Sequence, residues 1–229
     1  MTARIIFIFL VAATAVRAGD WYDQLWPETN VYVTTSQHSR LFLLAASTRT
    51  RQEGYTDGQL GVHLDFYFAP IFDARAERHP DLARHKFLMV RAGYLYGKTP
   101  KDSSDPFTEH TALIEMTPRY YLPKQILISD RNRGDLRFLN GDFMPRYRNR
   151  LKVERTFAIG RRSLTPYAHA ETFYDWRYNS FHRQRYAAGA EFEINKRFVV
   201  EGYYLRQQDS QSSAGNMNVV GVALQLYLR

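Results

Sequence analysis

Five side chains in one region could do hydrolytic chemistry. Asp175, Asn179, Ser180 and His182 sit close together, and His169 lies on the segment leading to them. A hydroxyl becomes a nucleophile when an imidazole takes its proton and a carboxylate orients that imidazole. On the outer loop of a membrane protein, such a set would make a lipid hydrolase or deacylase working at the rim. The spacing matches no hydrolase motif, however, and Ser and His in a polar loop are ordinarily just solvated. Metal chemistry needs ligands gathered on one face. His38, His63, His79, His85, His110, His169 and His182 are scattered and cysteine is absent, so neither a metal site nor a cofactor is expected.

The densest charge lies elsewhere, in Arg131, Arg133, Arg137, Arg146, Arg148, Arg150 and Lys152. Between Asp142 and Glu154 the odd positions Phe143, Pro145, Tyr147, Asn149, Leu151 and Val153 carry no charge. The even ones, Arg146 through Glu154, are all charged. Successive side chains of a strand point to opposite faces, so this is a ribbon with one charged and one largely apolar face. A helix would be broken by Pro145 and would lose Val153 from its stripe. On the same face as the basic ladder fall Glu115, Asp135, Glu154, Glu171 and Glu191, with Asp175, Glu193 and Glu201. Two functions suit this set. The charges could orient solutes in a pore, or they could satisfy one another across a narrow, filled lumen. Mixed signs in a small barrel favour the second. Nucleic-acid binding would reuse these arginines with Tyr147 and Tyr167 as stacking platforms, but an export signal and the strict parity argue against it.

The elements that must position these charges are strands. Alternation recurs near residues 31–35, 41–47, 59–68, 87–96, 109–120, 131–138, 143–154, 168–176, 185–194, 198–207 and 219–228. The strands they imply are ~10–14 residues long, enough for the ~9–11 that a tilted strand needs to cross a bilayer. Short turns are expected at 36–39, 123–124 and 195–196, with longer polar loops at 49–58, 97–106, 177–183 and 209–218. Exceptions are the hairpin dipeptide Asn140-Gly141 and the long connection 69–84, where residues 73–78 could form a helical turn or two. Eleven segments are clear. Even numbers are the rule for single-chain bacterial barrels, so residues 21–26 are the candidate twelfth strand, with both termini at the periplasmic rim.

Residues 1–18 read as a secretory leader: Arg4, an apolar run from Ile5 to about Val16, then Val16-Arg17-Ala18 before Gly19. Residues 19–229 would then be one exported domain. The chain has 31 Lys+Arg against 23 Asp+Glu, spread throughout rather than collected in a tail, and aromatics reach 15% beside a negative mean hydropathy. That combination suits a barrel wet inside, apolar outside and ringed with aromatics. The expected architecture is all-β: a single antiparallel transmembrane β-barrel of about 12 strands, or alternatively 10. Its expected partners are outer-membrane lipids, the outer-membrane assembly machinery and small charged solutes, with no nucleic acid.

Diffuse aromatic and arginine positions carry a resemblance. They are Trp26-Pro27-Glu28, Leu41-Phe42-Leu43, Arg146-Tyr147-Arg148-Asn149-Arg150, Pro166-Tyr167, Glu171 with Phe173-Tyr174, and Tyr203-Tyr204. Over most of its length the chain resembles a bacterial family of uncharacterised predicted outer-membrane β-barrels, catalogued only as a domain of unknown function. The resemblance implies an outer-membrane barrel and supplies no activity, substrate or site residue. One departure from outer-membrane barrels at large is the end of the chain, where Tyr227 is followed by Leu228 and Arg229 instead of closing on an aromatic.

Overall fold

A computed structural model of the chain describes residues 23–51, 54–70, 81–100, 106–211 and 215–228. The leader at 1–18, Trp21 and the helical turn expected at 73–78 lie outside them. The described residues form strands β1 (Gln24–Thr34), β2 (Ser39–Thr50), β3 (Gly54–Pro70), β4 (Lys86–Lys98), β5 (Thr108–Leu122), β6 (Ile126–Leu139) and the two-residue β7 (Asp142–Phe143). After these come β8 (Arg146–Arg155), the short β9 (Phe157–Ile159), β10 (Arg162–Asp175), β11 (Ser180–Asn195), β12 (Phe198–Asp209) and β13 (Met217–Leu228). The eleven long strands close into one barrel, while β7 and β9 pair at its margins on β6 and β10. The alternating segments of the sequence thus became strands of 10–17 residues.

Pro145 has the consequence its chemistry dictates: the ribbon from Asp142 to Glu154 is split, leaving Phe143 on β7 and the arginine ladder on β8. Of the candidate twelfth strand at 21–26, the described part is no separate strand: Gln24, Leu25 and Trp26 are the first residues of β1. With eleven strands, antiparallel pairing cannot run all the way round. The barrel closes by pairing β1 with β13 in parallel, in register from Gln24 opposite Val219 to Val33 opposite Leu228. Asp23 clamps this seam from both sides of its own peptide, its N–H donating to the Asn218 carbonyl (2.8 Å) and its carboxylate accepting from the Asn218 N–H (2.5 Å). The two ends of the described chain therefore lie at opposite rims, not at one. The rim where β1 begins also carries the junctions that follow β2, β4, β6, β10 and β12. The rim where β13 ends carries the junctions that follow β1, β3, β5, β8 and β11. Two loops are shorter than their polarity implied, because β2, β3 and β11 keep pairing past the apolar belt into polar residues.

Parity sorts the side chains. Leu60 (62% exposed), Ile114 (60%) and Leu136 (54%) point outward, whereas Glu115 (2%) and Glu171 (1%) point inward. The outward face is not wholly apolar. Asn149 sits there opposite Asn132 of β6. Its amide donates to Asp130 (2.6 Å) and to Asn132 (3.1 Å), while the Tyr147 hydroxyl donates to Asn132 (2.5 Å). This small network satisfies its own polar groups, which is what a face turned from water requires.

Inside, β13, β1, β2 and β3 contribute a row of stacked rings. Tyr227, Tyr32, Phe42 and His63 are register partners whose neighbouring centroids lie 4.7–4.9 Å apart. Glycines make room for such rings. A Cβ on Gly221 would fall 1.9 Å from the Tyr203 ring, whose hydroxyl donates to Glu28 at 3.3 Å. Gly221→Ala is therefore expected to dislodge that ring and to cost about 1–3 kcal/mol, read from the urea midpoint of the refolded protein in micelles. An unchanged midpoint would mean that the ring does not occupy this space.

Candidate functional site

The lumen holds a cavity of about 680 Å³ lined by charged, polar and aromatic side chains. Of the sequence-derived set, Arg131, Arg133, Arg137, Arg146, Arg148, Arg150, Lys152, Glu115, Glu154, Glu171 and Glu191 line it. Asp135 is buried behind Arg133 and Arg146. The strands explain this placement: β6 and β8 are neighbours, and both present their basic residues inward at every second position.

The charges form interlocked groups. Near the middle, Glu171 of β10 receives Arg131 (2.5 Å), Arg148 (2.8 Å) and Arg150 (3.1 Å). Arg131 also faces Glu115 at 3.8 Å. Toward the rim where β1 begins, Asp135 receives Arg133 (2.5 Å) and Arg146 (2.8 Å). There Arg137 reaches Glu109 at 3.2 Å and Asp175 at 3.9 Å. On the wall formed by β2–β4, Asp65 is held between Arg40 (2.7 Å) and Arg91 (2.5 Å). The wall of β12, β13 and β1 carries two further carboxylates: Tyr167 donates to Glu201, Gln225 donates to Glu201 at 2.8 Å, and Tyr203 donates to Glu28.

Strand register links these groups into one belt. Arg40, Asp65, Arg91, Glu115 and Arg133 are successive partners across β2 to β6, with alternating sign. The row continues through Arg148, Phe173, Arg183 and Asp209.

At the rim where β13 ends, the connection before β4 turns into the barrel. Asp81 caps a single 3-10 turn, Leu82–His85, accepting from the Ala83 N–H at 2.9 Å and from Arg40 at 2.6 Å. Ala83 is buried against Tyr67 and Met89. Arg84 then crosses the lumen to Glu154 of β8 (2.5 Å) and Glu191 of β11 (2.7 Å), and Lys152 joins both carboxylates at 2.6 and 3.3 Å. Burial pushes the Arg84 guanidinium pKa down, but Glu154 and Glu191 outweigh that and hold it above its ordinary value. The turn is thus tied to β2 on one side and to β8 and β11 on the other.

The residues considered for hydrolysis are arranged differently. Asp175 ends β10 and accepts from the backbone N–H of Arg177 (2.9 Å), and Asn179 accepts from the Tyr174 hydroxyl. His182 is buried, with its ring edge-on to Tyr178 at 5.0 Å. The His182 imidazole meets the backbone of Ser180 by a hydrogen bond. His169 lies parallel to Tyr167, with ring centroids 6.0 Å apart. No group of three or more metal-ligating side chains is present among the described residues. Arg40, Asp65, Arg84, Arg91 and Arg185 were missed by sequence reasoning. Arg91 and Asp65 carried a usable signal, being inward-parity charges of opposite sign on consecutive strands; Arg84, in a turn, carried none.

A family described as "Protein of unknown function (DUF2490)" matches residues 23–218. No curated protein matches the chain. Among solved structures it is similar to the β domain of the Bordetella autotransporter BrkA. That similarity has 12% identity, covers 83% of this chain and 82% of that one, and has a TM-score of 0.41.

Proposed function

The chain belongs to the DUF2490 family, and from that premise we propose that it is a structural outer-membrane barrel whose charged lumen is closed to metabolites. One observation carries this reading: Arg84, from the connection between β3 and β4, reaches β8 and β11 on the far wall and bars the rim where β13 ends. Ion pairs between neighbouring strands and across the barrel support it, since they occupy lumen that would otherwise be open to solvent. Strand length and an outward face rich in Leu, Val, Ile and Phe support insertion in a bilayer. No helix among the described residues is long and apolar enough to span a membrane. In this reading residues 1–18 direct export and are removed, the rim where β13 ends faces the periplasm, and the assembly machinery and membrane lipids are the partners.

Liposome swelling tests it. Proteoliposomes carrying the refolded protein are expected to swell in arabinose no faster than protein-free liposomes. Swelling at the rate of a general porin would replace the closed barrel with an open pore.

A further inference from the structure

We propose that the lumen contains a binding site for a small oxyanion, a carboxylate or phosphate group, set over Phe173 against the free edge of Arg185. Two observations carry it. The first is the register belt described above, in which cation and carboxylate alternate from Arg40 as far as Arg133. Arg148 follows Arg133 directly, and the next rung, between Arg148 and Arg183, is the uncharged Phe173. The guanidiniums of Arg146, Arg148, Arg183 and Arg185 all lie over that ring, at 5.5, 4.7, 5.6 and 4.8 Å from its centroid. A carboxylate would continue the alternation here, and none is built in.

The second observation is how Arg185 is held. Its Nε donates to Gln207 at 2.7 Å, and its guanidinium lies over both Trp26 (4.9 Å) and Phe173. Among the described residues no ion pair engages it. The side chain is thus oriented by neutral groups and not neutralised, while it lines the cavity. A planar guanidinium held in this way presents a preorganised fork that matches a carboxylate or phosphate. The neighbouring carboxylates are already shared: Glu171 serves three arginines and Asp135 two. An incoming oxyanion therefore enters a field of excess positive charge. Its arrival needs no passage through the barrel, because the site lies on the side of the Arg84 bar toward the rim where β1 begins.

The test is equilibrium binding to the full-length protein in detergent micelles at low salt, with inorganic phosphate and acetate as separate probes. It is read by tryptophan fluorescence, to which Trp26 on Arg185 contributes, and by calorimetry. Saturable binding of either probe is expected, weakened at least about tenfold in Arg185→Gln and unchanged in Arg206→Gln, an outward-facing control. Phe173→Glu supplies the missing carboxylate from within. It is expected to keep heat-modifiable gel migration and to lose binding, which covers the case in which Arg185→Gln fails to fold. The proposal is overturned if neither probe saturates, if Arg185→Gln binds as the parent does, or if Phe173→Glu folds and still binds. None of these outcomes depends on whether the lumen conducts, so the closed-barrel reading stands or falls separately.

Discussion

In planar bilayers, Arg84→Ala protein is expected to pass discrete current steps where the parent passes none. Arg84 is the side chain of the 82–85 turn that spans the lumen, and its two carboxylate partners stand on β8 and β11. Truncation removes the bar and leaves Glu154 and Glu191 with Lys152. The cost to stability is therefore expected to stay at about 1–3 kcal/mol, because one cation still serves both acids. The turn loses one tether and keeps the other, from Asp81 to Arg40. Current should flow preferentially as anions, since cations dominate the remaining lumen. Wild-type protein that already conducts, or a variant as silent as the parent, would show that this turn does not close the barrel. Arg206→Ala, outside the lumen, is the matched control.

A second large effect is expected at Glu171. Three guanidiniums converge on this one fully buried carboxylate. Glu171→Ala removes the common acceptor and leaves Arg131, Arg148 and Arg150 facing one another. Breaking a buried ion pair by removing one partner typically costs about 3–5 kcal/mol, and the arginines' access to the cavity argues for the lower end. Urea unfolding in micelles or liposomes reads the loss. If the cost comes from uncompensated charge, removing Arg148 as well should recover part of it, so the double variant Glu171→Ala with Arg148→Met should be more stable than the single. Equal midpoints for parent and single variant would mean that the cluster holds nothing together.

Much of this was legible in the chain, for a definite reason. A barrel wall has two unlike environments, and strand geometry sends alternate residues to each, so Arg146, Arg148, Arg150 and Lys152 could be assigned a face without knowing any neighbour. Partners are a different matter, because they depend on register. That Asp130 and Asn132 share the outward face with Asn149 and satisfy it follows only once β6 is aligned with β8. The empty rung at Phe173 likewise appears only when nine strands are laid side by side. Arg84 was out of reach because a turn has no parity. The strand total of about 12 is met by eleven long strands with the short β7 and β9, and a parallel β1–β13 seam closes an odd number of long strands where an even one is the rule.

That seam bears on how the molecule can form at all. Every other junction between long strands joins neighbours in sequence, so each can zip from a local connection with little loss of chain entropy. The β1–β13 junction instead joins Gln24 to Val219, nearly the whole described chain apart. Until it is made, two strand edges are unpaired, and unpaired edges are not tolerated in hydrocarbon. Closure is thus the slow, high-contact-order event, and in the proposed membrane setting insertion waits on it. Amide protons along β1 and β13 should report it in hydrogen exchange as the final pair of strands to become protected.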